Sequence, residues 1–182
     1  MEIEDDRKRR FIILSIGCAM TIIITFLSYL ALIKVRENEK IQERISSFNI
    51  PPIFKLDSTK FEFDQIKPLV IVIFNSTCEL CEVEVLDIKN NLAVLSTFQI
   101  ILISSEPIDE IRSFSLNLGL DTEPSLFFCK INETDLYSAF GSISYPHILV
   151  YDKDRKLIKQ FREVVDIKAM VKKIGTDVSG EK

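Results

Sequence analysis

Residues 69–91 read Leu-Val-Ile-Val-Ile-Phe-Asn-Ser-Thr-Cys-Glu-Leu-Cys-Glu-Val-Glu-Val-Leu-Asp-Ile-Lys-Asn-Asn, and the order of their properties decides the fold. Leu69–Phe74 is a continuous apolar run rich in β-branched residues, the pattern of a strand buried on both faces. Residues 79–96 then carry Leu80, Val83, Leu86 or Ile88, and Leu92 or Leu95 near the helical period, which predicts an amphipathic helix on that stripe. Between strand and helix stands Cys78-Glu79-Leu80-Cys81. A helix N-terminus exposes N–H groups and the positive end of the macrodipole, so it favours an anionic sulfur at Cys78. Cys81 lies one turn deeper, close enough to attack a mixed disulfide formed on Cys78. A nucleophilic thiol and a resolving thiol are the two parts that thiol–disulfide exchange needs. A bare CxxC is a weak signal, whereas one between a buried strand and an amphipathic helix is a strong one.

Outward from this segment the alternation continues. Phe98–Ser104 reads as a second buried strand, and Pro107–Leu118 as a helix with Ile108, Ile111, Phe114 and Leu118 on one side and proline at its start. Gly119 ends it. Ser125–Cys129 reads as a short strand and Asp135–Phe140 as a helical turn closed by Gly141. His147–Tyr151 and Leu157–Arg162 flank the polar turn Asp152–Lys156, a hairpin signal. Val164–Ile174 is a last amphipathic helix, and residues 176–182 read as a flexible tail. The order predicts an α/β domain over residues 50–175, with helices on both faces of its sheet. Its start is placed at the break made by Pro51-Pro52, with residues 34–49 before it as a stalk.

Phe11–Ile33 is a run of 23 uncharged residues. At roughly 1.5 Å per residue it exceeds a hydrocarbon core of about 30 Å, so residues 11–33 read as a transmembrane anchor. The compact block Arg7-Lys8-Arg9-Arg10 favours residues 1–10 on the cytoplasmic side and the domain outside. The run is too long for a signal-peptide core, and no pair of small residues precedes Lys34, so an uncleaved anchor is expected. Cys18 is then a small membrane-packing residue.

Composition removes other classes. The chain has 182 residues, a net charge of −4, four Cys, one His and no Trp. No basic patch dominates, which argues against nucleic acid as a partner. One histidine makes Ser-His-Asp catalysis or a multi-histidine metal site improbable, and four cysteines are too few for a stapled scaffold. A zinc ribbon needs a second ligand pair, but Cys129 and His147 each stand alone, so no metal is expected. A structural disulfide within one helical turn would close too short a loop to restrain the unfolded chain much. Redox exchange is the favoured reading of the Cys78–Cys81 pair. Cys129 reads as a buried inert thiol, and His147 as a polar residue meeting a backbone group at a strand start.

The strand-CxxC-helix segment VIVIFNSTCELC, Glu84 three residues after Cys81, and FGSISYPHILVYDKDRKLIKQF together resemble the thioredoxin superfamily. The likeness is greatest to the membrane-anchored thiol:disulfide oxidoreductases of bacterial envelopes, including those serving cytochrome c maturation. It implies a thioredoxin-like fold, a central mixed sheet flanked by helices, after one transmembrane helix. It implies Pro146 as a cis-proline beside the dithiol, with Tyr145 presenting backbone groups to an extended substrate, and Glu84 accepting or relaying the proton of Cys81. It further implies a single-pass location in the bacterial inner membrane, with the domain in the periplasm. Its substrates would be disulfide-containing envelope proteins, a membrane redox partner would recycle the dithiol, and no cofactor would be needed. A non-catalytic binding or assembly module of the same fold is the alternative, and a peroxidase-like member lacks a matching arginine. The sequence departs from the family at Thr77, where Trp is usual, and at Val72, where thioredoxin carries a buried Asp. It departs again at Glu79-Leu80, which replaces Gly-Pro or Pro-Pro, and at Arg155, where relatives often place Gly. Glu79 opposes the helix dipole beside Cys78, which favours a reducing poise.

Overall fold

The computed structural model describes the backbone of residues 2–141 and 143–179 and the side chains of 16–141 and 143–174. The basic block Arg7–Arg10, the first residues of the apolar run and the last residues of the tail therefore lie outside the described side chains. The chain divides into two compact units, one reaching Lys40 and one from Ile41 onward. The first is helical throughout its described backbone, the beginning of α1 (Glu2–Ser46). From Ile16, α1 is long and apolar enough to cross a membrane, and none of the apolar window is buried. Ile22, Phe26, Leu30 and Ile33 are among its exposed side chains.

The second unit is built on a six-stranded mixed sheet. Its strands are β1 (Phe54–Lys55), β2 (Leu69–Ile73), β3 (Gln99–Ser104), β4 (Leu126–Lys130), β5 (His147–Tyr151) and β6 (Leu157–Phe161), in spatial order β1-β4-β3-β2-β5-β6. β2, β3 and β4 are parallel, joined through α2 (Glu79–Asn90) and α3 (Ile108–Asn117). After α4 (Glu133–Phe140), β5 returns antiparallel to β2, then β6 pairs antiparallel to β5 and α5 (Ile167–Ser179) follows.

β2 shows why a continuous apolar run was needed. Val70, Val72 and Phe74 point to one face, where they meet Val85 and Ile88 of α2, Ile111 and Phe114 of α3, and Ile167 and Met170 of α5. Leu69, Ile71 and Ile73 point to the other, among Leu136 and Phe140 of α4, Phe61 and Ile45. Each such fully buried side chain is worth roughly 1.5–3 kcal/mol relative to exposure, so a polar residue on either face would be costly.

Four expectations are corrected. The compact unit begins at Ile41 rather than near residue 50, because Ile45, only 2% exposed, belongs to the core with Ile53 and Phe61. The segment read as a stalk over 34–49 therefore includes core residues. α2 ends at Asn90 rather than running to residue 96: the Asn91 side chain turns back to donate to the Asp87 carbonyl at 2.8 Å, and turns follow. Its buried side is Cys81, Glu84, Val85 and Ile88, whereas Leu80 and Val83 are 55% and 53% exposed. α5 starts at Ile167, capped by Asp166 accepting from Ala169 N–H at 2.7 Å, and continues through Ser179 into the expected tail.

Arg155 occupies a left-handed conformation, φ +64°, that a glycine would adopt more easily. Its guanidinium donates to the Lys67 carbonyl at 3.0 Å and to the Asp64 carbonyl, and lies 5.3 Å over the Phe48 ring. These contacts join the hairpin to the loop before β2, which a glycine could not do.

Candidate active site

The parallel strands β2 and β3 end on one edge of the sheet, the edge where crossover helices begin and where open α/β sheets place their sites. Cys78 is the N-cap of α2, with φ −90° and ψ 109°, and its Sγ accepts from Cys81 N–H at 3.2 Å. The sulfur thus satisfies one of the helix's unpaired first-turn donors. Asn75 holds the preceding turn: its Oδ1 accepts from Thr77 N–H at 3.0 Å and the Thr77 hydroxyl at 2.6 Å, and its carbonyl accepts from Cys78 N–H at 3.1 Å. Thr77, immediately before Cys78, is exposed and serves this local turn.

Cys78 is half-buried, Cys81 is buried, and both are free thiols. Burial, followed by the neighbouring Cys78 sulfur, pushes the Cys81 thiol up to about 12. One sulfur is accessible and the other withheld from solvent. A half-accessible sulfur can meet a disulfide from outside, and a buried one can act only on what the first has captured.

Glu84 lies on the same buried side of α2 as Cys81 and is 0% exposed. Its Oε2 accepts from Val165 N–H at 2.9 Å, while Oε1 is buried without a hydrogen-bond partner. Burial raises its carboxyl to about 7, with the Val165 bond opposing and Asp87 adding to the shift. Asp87, one position further round the same side, accepts from Ile167 N–H at 3.1 Å. Together these two carboxylates fasten α2 to the start of α5.

Pro146 is buried immediately before β5, and the Tyr145–Pro146 peptide bond is cis. Register brings it to the dithiol edge, because His147 pairs with Ile73, the last residue of β2. Tyr145 is half-buried, and its hydroxyl is raised by burial first and then by Tyr137, Glu106 and Cys81. Cys78, Cys81, Tyr145 and Pro146 therefore gather at one end of the sheet, with Glu84 one turn below Cys81.

His147 is buried, its Nε2 3.2 Å from Gln160 Oε1, and Gln160 Nε2 donates to Gln42 Oε1 at 2.8 Å. Its partner is thus a side chain rather than the backbone group expected at a strand start, and burial lowers it to about 4. Cys129 is buried on β4, its thiol raised to about 12 by burial, and it belongs to the core on the opposite face of the sheet from Cys81. Among the described residues no cluster of metal-ligating side chains occurs.

Glu106, two residues past β3, also belongs to this site, although no motif in the sequence marks it. It accepts from Ser76 N–H and from the Ser76 hydroxyl, each at 2.7 Å, in the turn that leads to Cys78. The signal was its place just beyond a buried parallel strand, on the edge where the CxxC also had to lie.

No family model and no curated protein sequence matches the chain. Solved structures do match in fold. A secreted Mycobacterium tuberculosis disulfide oxidoreductase homologous to E. coli DsbE aligns at a TM-score of 0.58 and 12% identity, covering 74% of this chain and 98% of that one. The thioredoxin domain of a Bacteroides vulgatus thiol-disulfide oxidoreductase aligns at 0.58 and 13%, covering 68% and 91%. The exposed lipoprotein thioredoxin Etrx1 of Streptococcus pneumoniae aligns at 0.56 and 17%, covering 69% and 98%. The chain has the thioredoxin-like fold, preceded by a long apolar helix that is a candidate membrane span.

Proposed function

We propose that this chain is a membrane-anchored thiol:disulfide oxidoreductase that reduces or exchanges disulfides of extracytoplasmic proteins through Cys78 and Cys81. The observation that carries the reading is the unequal placement of the two sulfurs at the start of α2: Cys78 half-buried at the N-cap, Cys81 buried behind it. In the reducing direction, the Cys78 thiolate attacks one sulfur of a substrate disulfide and expels the other as a thiolate. Cys81 then gives up its proton and attacks Cys78 Sγ, forming the intramolecular disulfide and releasing the second substrate thiolate. Two electrons pass to the substrate, and a membrane dithiol donor returns them to the pair.

Glu84, buried on the same side as Cys81 and raised to about 7, suits the role of taking that proton. Tyr145 and Pro146, at the same end of the sheet as the dithiol, would meet an extended substrate segment, and the exposed Leu80 and Val83 offer it apolar contact. The apolar stretch of α1 supports the anchor, the basic N-terminal block supports a domain on the outer side, and the likeness to envelope oxidoreductases supports a place in the bacterial inner membrane with the domain in the periplasm.

Trapping tests this reading. Cys81→Ser should accumulate mixed disulfides with envelope proteins that dithiothreitol releases, and Cys78→Ser should accumulate none. Equal, empty pull-downs from both variants would favour a binding module that does not turn over.

A further inference from the structure

The connection from α4 to β5 delivers Tyr145 and Pro146 to the dithiol edge, and its two ends are Gly141, the C-cap of α4, and His147, the first residue of β5. Side chains from the end of α1 reach both. Ile41 lies so close to Gly141 that a Cβ there would stand 2.8 Å from Ile41 Cδ1 and 3.2 Å from its Cγ2, and the Gly141 φ of +73° favours glycine as well. Arg44 Nη1 donates to the Ser138 carbonyl at 2.7 Å, in the last turn of α4. At the other end, His147 Nε2 donates to Gln160 Oε1 at 3.2 Å, and Gln160 Nε2 donates to Gln42 Oε1 at 2.8 Å. An amide oxygen can only accept, which sets the direction of both bonds. Between the ends, Ile143 and Tyr145 pack, as Ile41 does, against the core cluster that holds Ile45.

We propose that residues 41–45, near the end of α1, are a positioning element of the dithiol site, holding in place the connection that presents Tyr145 and Pro146 to an extended substrate, with Gln42 as its polar link. The inference rests on the exchange reading above. Burial of Ile45 alone would dock the helix end, and apolar side chains at positions 42 and 160 could pack about as stably as two bonded amides. What the hydrogen-bonded chain adds is direction. A buried polar group left unpaired is costly, so the one arrangement that pairs Gln42, Gln160 and His147 Nε2 is selected over its neighbours. The last member of that chain directly follows Pro146. A thiolate that attacks a disulfide in an extended segment needs that segment at a fixed distance, and a small misplacement is costly in rate. Loss of the Gln42 link should therefore weaken capture of a protein disulfide without altering Cys78 itself, whose turn is held separately by Asn75.

The test uses the full, untagged chain in detergent micelles, with Cys18→Ser to remove the exposed thiol of the apolar helix. Initial rates of dithiothreitol-driven reduction of labelled insulin give KM and kcat, and iodoacetamide, too small to need the substrate-binding edge, reads the reactivity of Cys78. His147 is the only histidine, so isotope-labelled histidine gives one imidazole resonance, placed where the chain of bonds ends. In Gln42→Leu the KM for insulin should rise about tenfold with kcat changed by less than about twofold, because misplacement acts on capture. The Cys78 alkylation rate should stay at the parent value, and the His147 resonance should move. Gln42→Glu keeps an oxygen to accept from Gln160 and should bring both KM and the resonance back toward the parent. Ile41→Ala, which loosens the contact on Gly141, should raise KM in the same way. An unchanged KM in a folded Gln42→Leu protein whose His147 resonance has moved overturns the inference alone. A fall in Cys78 alkylation parallel to the rise in KM overturns it too, as does loss of fold by circular dichroism in both Gln42→Leu and Ile41→Ala, which leaves the segment ordinary core. A parent chain that does not reduce insulin instead removes the exchange reading, and this inference with it.

Discussion

Glu84 and His147 are both buried, and burial pushes each toward its neutral form, which moves them in opposite directions. Glu84 rises from 4.5 to about 7, so between those values the folded chain holds a proton that the unfolded chain releases. Its contribution to stability is complete below pH 4.5 and is lost as pH rises toward 7. His147 falls from 6.5 to about 4, so the unfolded chain takes up a proton that the folded chain refuses. Its contribution is complete above pH 6.5 and is lost as pH falls toward 4. Between about pH 4.5 and 6.5 the two slopes oppose each other, each worth on the order of 1–3 kcal/mol across the window. The unmodified protein should therefore show a shallow stability profile there. Glu84→Gln should leave stability rising with pH, and His147→Gln should leave it falling. Urea unfolding at pH 4.5, 5.5 and 6.5 checks this, and parallel profiles in all three proteins would contradict it. Neither burial was legible in the sequence. A pattern reading counts Glu and His as outward-facing, and only tertiary packing shows which polar residues have been taken inside.

At the level of elements, the end of α1 is the least expected part of the domain. Ile45 sits in the core, Ile41 packs so close to Gly141 that a Cβ there would meet its Cδ1 at 2.8 Å, and Arg44 Nη1 donates to the Ser138 carbonyl at 2.7 Å. Gln42 continues the chain of hydrogen bonds from His147 through Gln160. These contacts fall on α4, on Gly141 and on the strands that follow Pro146. A fragment of residues 41–182 should therefore unfold cooperatively, and one beginning at residue 48 should have a markedly lower Tm. Ile45→Ala in the longer fragment should cost about 2–5 kcal/mol, the range for emptying a buried aliphatic site. Equal stability of the two fragments by thermal denaturation would show that the helix end is not part of the core. Pro51-Pro52 drew the expected boundary too late because a break in the backbone need not be a break in packing. The face of α2 was misread for a related reason. Its core side carries Cys81, Glu84, Val85 and Ile88, so a buried glutamate interrupts the apolar stripe, while the apolar Leu80 and Val83 face outward.

Across the whole chain, the readable features were those that repeat a simple physical pattern. β2 and β3 announced themselves as continuous apolar runs and are paired in parallel from Leu69 with Gln99 to Ile73 with Ile103. The hairpin of β5 and β6 followed from two short segments, HILVY and LIKQFR, about a polar turn. The apolar helix was plain from length alone. The dithiol was legible because local sequence builds it: a strand end, a short turn and a helix start are consecutive. Glu106 was not, because it reaches Ser76 only after β3 has been laid beside β2. The proposed cycling of electrons from the Cys78–Cys81 pair to a disulfide substrate is tested by the reduction of insulin by dithiothreitol in the presence of the full chain in micelles. The chain should accelerate precipitation of the reduced insulin B chain, and Cys78→Ala should return it to the rate without protein. A parent chain no faster than Cys78→Ala would contradict it.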